Sequence, residues 1–340
     1  MSRLSTWLDT FFPRKVGMRR LSRLASRVRP VRVHIDRESV DLGTYGLAVR
    51  KEGDVIAMAC NLALIRSRPW LVAPFTRRPA AIIALFAATD EAIRRCRAET
   101  SDGWESAPGV ISFCSVHPDA ILVPDPEFYI SGGYAEVRRK AREAAVPWRE
   151  RSDTLVWRGS STGPGSVAEA DMTPANLNLI QRTRLCLILR DVAGTDVRLV
   201  NAAQAADPDD ARRHLMAAGI LAGGIPPHTW LGRKFALDID GNANAWSNLF
   251  TRLLLGCCVL KVASPLGYRQ WYYDDLVPWR HFVPVAADLG DLIEKIEWCR
   301  AHPDECEGIG AAGQALAMAM TLEREMERGI AKLNSVLPRG

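Results

Sequence analysis

Between about residues 150 and 300, short apolar runs alternate with stretches whose apolar residues recur at helical spacing, and this alternation restricts the chain more than any other feature. Asp153–Trp157, Asp196–Ala202, Phe235–Ile239 and the apolar run ending at Lys261 read as strands. Thr173–Ile188, Asp207–Ala218, Trp246–Leu255 and Asp288–Cys299 read as helices between and after them. Strands separated by helices pair in parallel, so this half predicts a parallel sheet with helices on both faces.

Two of these strands run into polar loops. After Phe235–Ile239 come Asp240-Gly241-Asn242, with turn chemistry, and then Ser247-Asn248 at a helix start. Unpaired backbone N–H groups and the positive dipole end favour an anion there, although Ser247 or Asn248 capping the helix accounts for the same residues. After Trp157 come Arg158-Gly159-Ser160-Ser161-Thr162-Gly163, small residues that let a ligand approach the backbone and an arginine with a forked donor. This is neither GxGxxG nor the GxxxxGK[ST] phosphate loop, and a structural turn with a surface arginine fits it as well.

At 340 residues the chain is long enough for two domains. Its net charge of +5 is concentrated in residues 1–33, where eight arginines and one lysine face Asp9 alone. Trp7, Leu8, Phe11 and Phe12, then Val16, Leu21, Leu24 and Val28, are interleaved with those charges, so residues 1–30 read as a basic amphipathic leader. Such a leader suits an anionic membrane surface; a solvated tail or a helix packed on the body are the competing readings. Nucleic acid is not expected as a partner, since no recognised motif follows the basic cluster. The eight cysteines form no CxxC pair and no zinc-type spacing, which points to buried reduced thiols. With no run near the ~20 apolar residues of a membrane span and no signal peptide, the expectation is a cytoplasmic protein.

In the first half, Val31–Val49 suggests short strands and Tyr45–Ala59 a strand pair around Lys51-Glu52-Gly53-Asp54. Pro79–Ala98 reads as one helix closing on Arg94, Arg95 and Arg97, followed by the polar turn Thr100-Ser101-Asp102-Gly103. Val110–Ser115 and Ala120–Pro124 read as strands, and Ala135–Ala145 as a charged helix closed by Pro147. Helices at Glu305–Ala319 and Glu323–Val336 complete the chain.

Several blocks, in this order and spacing, resemble one family: Val156-Trp157-Arg158-Gly159-Ser160, Asp238-Ile239-Asp240-Gly241 with Ala245-Trp246-Ser247, Val259-Leu260-Lys261, Trp271-Tyr272-Tyr273, and Leu276-Val277-Pro278-Trp279-Arg280-His281-Phe282-Val283-Pro284-Val285. They resemble glycosyltransferase family 90, which includes lipopolysaccharide-modifying, capsule-associated and protein O-glucosyltransferases, and this chain looks like a bacterial-type member. The resemblance is specific over roughly residues 110–315, weak over 35–110 and absent in the leader.

That resemblance implies an α/β, GT-B-like fold: two Rossmann-like domains facing across a cleft, the UDP-sugar mostly on the second and the acceptor mostly on the first. The expected division is the leader 1–30, an acceptor-side domain 31–150, a nucleotide-sugar domain 151–320 and a C-terminal helix 321–340. The implied reaction is transfer of glucose, xylose or a similar sugar from a UDP-sugar to a hydroxyl, with inversion. The implied acceptor is a bacterial surface glycan or glycolipid such as lipopolysaccharide, reached from the inner face of the cytoplasmic membrane. The alternatives are transfer to a protein serine, or a non-catalytic nucleotide-sugar or glycan-binding protein.

By its position before the Val110–Ser115 strand, Asp102 matches the family's catalytic base, with Asp119 and Asp125 as nearby alternatives. Arg158, Gly159, Ser160, Asp240, Gly241, Ser247 and Asn248 would surround the diphosphate. Leu249 stands where the eukaryotic relatives carry an arginine two residues after the serine, and Arg252, one turn on, is the suggested substitute. His281 is either a ligand to sugar or phosphate or a satisfied core histidine. Asp238-Ile239-Asp240 has the Asp-x-Asp form of a metal site, yet the family's better-known members use no metal, so no cofactor and no metal ligand are assigned.

Overall fold

A computed structural model describes residues 18–36, 40–67 and 77–340. The chain divides into two compact units. The first runs to Gly133 and takes in Arg269–Trp271 and Thr321–Gly340; the second comprises Tyr134–Tyr268 and Tyr272–Met320.

This moves the expected boundary from residue 150 back to Gly133. The cause is the charged helix Ala135–Glu143, whose Arg138 donates to the carbonyls of Met318 (3.0 Å), Ala317 (3.0 Å) and Met320 (2.6 Å) in the second unit. The C-terminal helix Leu322–Val336 is likewise no separate piece but part of the first unit. It packs on the buried helix Pro79–Ala87, where Gly329 leaves room for Leu85: a Cβ on Gly329 would lie 2.8 Å from Leu85 Cδ2.

In the first unit the strands are β1 (Arg32–Ile35), β2 (Gly46–Glu52), β3 (Val55–Ala59), β4 (Arg95–Glu99), β5 (Ile111–Ser112), β6 (Cys114–Ser115) and β7 (Ile121–Leu122). Six form a sheet in the order β1-β3-β2-β4-β5-β7, and β2 runs antiparallel to both its neighbours. The expectation of a Rossmann-like first domain is therefore corrected to a mixed sheet. Two local expectations change as well. The helix from Pro79 stops at Ala87, where Lys51, buried beneath it, donates to the carbonyls of Thr89 (2.8 Å) and Asp90 (3.0 Å). Arg95–Glu99 instead alternates exposed arginine with buried Cys96 and Ala98, the period of a strand. The single strand expected over 110–115 is broken at Phe113, with β6 pairing to β12 (Arg269–Gln270) rather than joining the main sheet.

Of the basic leader, residues 1–17 lie outside the described residues. Residues 18–25 are helical, with Leu21 and Ala25 fully buried and Arg19, Arg20 and Arg23 exposed. Tyr129 donates to the carbonyl of Leu24 (2.7 Å), and Arg27 to the carbonyls of Tyr129 and Ile130. This stretch is thus a helix packed on the body.

The second unit carries β8 (Leu155–Gly159), β9 (Thr195–Leu199), β10 (Phe235–Asp238), β11 (Cys258–Val262) and β13 (Val283–Val285), all parallel, in the order β13-β11-β10-β8-β9. Helices Gln181–Leu189, Pro208–Ala217 and Ser247–Leu254 occupy the connections. Numbered within the unit, the order is 2-1-3-4-5, a doubly wound sheet whose strand order reverses between β8 and β10. At such a reversal the connections leave in opposite directions and open a crevice at the carboxyl ends. Among the described residues, no helix is long and apolar enough to cross a membrane.

Candidate functional site

The loops at the ends of β8 and β10 meet at this reversal, and Gly241 lets them touch. A Cβ on Gly241 would lie 2.4 Å from Thr162 Oγ1 and 3.0 Å from the Arg182 guanidinium carbon. On Gly159 it would lie 2.3 Å from the buried Trp157 indole. Neither position admits a side chain without displacing these neighbouring side chains.

Arg182, in the helix after β8, ties the two loops together. Its Nη1 donates to Ser160 O (3.0 Å) and Thr162 Oγ1 (2.9 Å), its Nε to Asp240 O (2.8 Å) and its Nη2 to Ile239 O (3.0 Å). The guanidinium is buried 5.5 Å over the Trp157 ring, and burial lowers its pKa to about 10, with Asp238 and Asp240 opposing the shift. It stays charged at neutral pH. A third loop braces the first: Asn201 Nδ2 donates to Ser160 Oγ (3.1 Å), while its Oδ1 accepts from the backbone N–H groups of Ser161 and Ala203.

Arg158 has a different place from the one expected. Its Nη2 makes a two-pronged pair with Asp196 at 2.7 and 2.8 Å, and Nη1 and Nε donate to the carbonyls of Trp157, Asp196 and Gly223. The register of β8 on β9 puts Arg158 and Asp196 on one face of adjacent strands, so its donors are spent inside the fold. Arg252 is corrected likewise, since its guanidinium stacks on Trp230 at 3.5 Å from the ring centroid, and burial lowers its pKa to about 10. Leu249, in the position of the missing arginine, faces the core at 1% exposure.

At the end of β10, Asp238 is buried and satisfied: Lys261 Nζ lies 3.4 Å from Oδ2, and Asn248 Nδ2 donates to Oδ1 (2.9 Å) and to Leu237 O (3.0 Å). Its countercharge is therefore the lysine. Asp240 accepts from Asn244 (3.2 Å) through one oxygen, while Oδ2 is buried without a hydrogen-bond partner. Burial raises its pKa, against the Ser264 hydroxyl first and then the pull of nearby Lys261. Ser247 begins the helix Ser247–Leu254, which no side chain caps, and Trp246 before it holds φ 37°, ψ −104°, unusual for a bulky residue. Ser247 and Asn248 are half-exposed there.

His281 takes the core role. It is 7% exposed, and its Nδ1 accepts from Val277 N (3.0 Å), closing the turn before β13. That bond places the ring proton on Nε2; burial first, then Arg280, lowers the pKa, so the ring is neutral at pH 7.

The three carboxylates weighed as base belong to the first unit. Asp102 follows β4, its carboxylate 3.0 Å from Arg78 Nη2 and partly exposed. Its turn rests on buried Glu99, whose Oε2 accepts from Ser101 N (2.6 Å), and on Ser101 Oγ, which accepts from Gly103 N (3.0 Å) and Glu105 N (3.2 Å). Asp125 follows β7, on the same carboxyl edge, but is fully buried and caps the helix Pro126–Ile130 by accepting from Phe128 N (2.9 Å). Exposed Asp119 precedes β7 and so lies at the opposite edge. Of the three, Asp102 alone is reachable at the strand ends.

Sequence reasoning missed Arg182 and Asn201. Both come from the elements following β8 and β9, with no motif of their own; the only signal was an arginine in the polar first turn of a helix that continues as Leu185-Cys186-Leu187-Ile188-Leu189.

A doubly wound parallel sheet with close-packed small-residue loops at its reversal is the layout of an α/β ligand-binding domain. The profile described as Glycosyl transferase family 90 matches residues 85–326, and the chain belongs to that family. It is 32% identical over 212 residues to uncharacterized protein 027R of Frog virus 3, covering 59% of this chain and 21% of that one. It is 38% identical over 85 residues to mouse protein O-glucosyltransferase 3, covering 25% and 16%. The chain spans only 14 to 21% of the length of the viral relatives it matches. Among solved structures, Anabaena Alr3699/HepE in complex with UDP-glucose matches with a TM-score of 0.38 and 12% identity over 60% of this chain and 53% of that chain.

Proposed function

We propose that the protein is a UDP-sugar-dependent glycosyltransferase that transfers glucose or a similar sugar, with inversion, to a hydroxyl of a bacterial surface glycan or glycolipid. The observation that carries this is the pair of loops at the β8/β10 reversal, locked together by Arg182 beside the uncapped start of the helix Ser247–Leu254. In this reading Gly159, Ser160, Asp240, Gly241, Ser247 and Asn248 surround the diphosphate, and the helix dipole offsets its charge. Arg182 acts by holding the loops in register.

Asp102 is the proposed base. The acceptor oxygen attacks the anomeric carbon as the bond to the diphosphate breaks; UDP leaves with that bonding pair, and the acceptor proton passes to Asp102. A single displacement inverts the carbon. The step calls on no metal. Glucose is favoured as the sugar because relatives carry the name protein O-glucosyltransferase, which also supports a protein hydroxyl as the second reading of the acceptor. The surface-glycolipid reading draws on exposed Arg19, Arg20 and Arg23, which suit an anionic membrane on the cytoplasmic face.

The test is calorimetric titration with UDP, UDP-glucose and UDP-xylose, followed by transfer to lipopolysaccharide and peptide acceptors. Asp102→Asn is expected to lower turnover at least 100-fold while leaving the UDP Kd within about twofold. Near-normal turnover in that variant would remove Asp102 from the mechanism.

A further inference from the structure

Every cysteine is buried and unbridged, and three of the eight converge. Cys258 opens β11, Cys299 lies in the helix Leu292–Ala301 and Cys306 in the helix Pro303–Ala319. Their three sulfurs all lie within 4.8 Å of one another, and among the described residues no fourth His, Cys, Asp or Glu joins them. We infer that Cys258, Cys299 and Cys306 form a three-sulfur site for a soft, thiophilic cation of the monovalent copper class.

The geometry is close to what such an ion needs. Metal–sulfur bonds of about 2.3 Å in a plane place the sulfurs about 4 Å apart, so small side-chain rotations close the site. The donor set decides the ion. Three sulfurs without an oxygen ligand exclude calcium and magnesium, and structural zinc wants four ligands. Thiolates select monovalent copper, which accepts three-coordination. The surroundings agree, because the cysteines sit in the apolar core with Leu260, Ile296 and Ile309, side chains that offer no fourth ligand. Entry also has a route: Cys299 lines a narrow cleft shared with Phe235, Gly194 and the exposed Asp153 and Arg300. Each sulfur that binds releases its thiol proton to solvent, so affinity rises with pH. Once bound, the ion would fasten two helices to β11, the strand that carries Lys261 beside Asp238.

The experiment uses the full chain, reduced and anaerobic, titrated with Cu(I) against a chromophoric Cu(I) chelator. One ion per chain withheld from the chelator, a raised Tm and X-ray absorption showing three sulfur neighbours are expected. Cys299→Ser and Cys306→Ser are each expected to lose at least tenfold in affinity, whereas Cys96→Ser keeps it. Retention by the Cys299→Ser/Cys306→Ser double variant, nitrogen or oxygen neighbours at the copper, or equal competition by zinc would overturn the assignment. Because the absorption measurement is made on the unaltered protein, a variant that fails to fold leaves the inference open to refutation.

Discussion

Arg182 and Arg158 show how little a residue's neighbours in sequence say about where its charge goes. Arg158 stands in the glycine loop and reads as the phosphate ligand, yet Asp196 from the adjacent strand satisfies it. Arg182 stands in the first turn of a helix, outside either loop, and supplies the four bonds that shape both. Arg182→Met leaves those acceptors unanswered in a buried place, and a loss of about 3 kcal/mol is expected in urea unfolding. UDP affinity should fall more than tenfold in that variant, and by less than threefold in Arg158→Ala. Asp125 gives a pH signature of its own. Burial raises its pKa from 3.8 to about 7, so the folded chain holds a proton that the unfolded chain releases. Its stabilising contribution is complete below pH 3.8 and declines as pH rises towards 7. Asp125→Asn keeps the capping oxygen and removes the titration. Urea midpoints measured from pH 4 to pH 7 are expected to lose that decline in the variant, and an unchanged slope would assign it to other groups.

At the scale of elements, the strand ends matter more than the strands. The loops after β8 and β10 approach only because Gly241 has no Cβ, and Gly241→Ala would set a methyl against Thr162 and Arg182. The expected cost is about 2 kcal/mol, with weakened UDP binding. Adding Thr162→Ala should restore part of both losses, measured by chemical unfolding and calorimetry, because the nearest clash is with its hydroxyl. Periodicity identified these elements in the second unit within a few residues. It failed between Ala88 and Glu99, where apolar and basic residues fit a helix by count but an edge-to-core alternation by packing. A helix terminus held by Lys51 from another strand leaves no mark in the local sequence.

For the whole molecule, the two units draw on separated parts of the chain: the loops at the β8/β10 reversal belong to the second, and Asp102 to the first. The packed helix over 18–25 changes how the membrane proposal is tested. Deleting residues 1–30 would remove buried Leu21 and Ala25 and unsettle the first unit, whereas Arg19→Glu, Arg20→Glu and Arg23→Glu together alter only exposed charge. Sedimentation with phosphatidylglycerol vesicles at low salt is expected to drop at least fivefold in that triple variant, with UDP affinity unchanged. Equal sedimentation would remove this face from the proposal.

The sequence by itself determined the alternation that makes the second unit a parallel sheet, the glycine-bearing loops at its strand ends, and the family, because these reside in short contiguous blocks. It also carried the polar turn Thr100-Ser101-Asp102-Gly103 after β4. Only the tertiary structure decided which arginine holds the loops, that Leu249 and His281 belong to the core, that the first sheet is mixed, and that three cysteines scattered over 49 positions come together. The physical reason is the same in each case. Local pattern sets the conformation of a segment, but the partner of a buried charge, a ring nitrogen or a thiol is chosen by what packing brings against it from elsewhere in the chain.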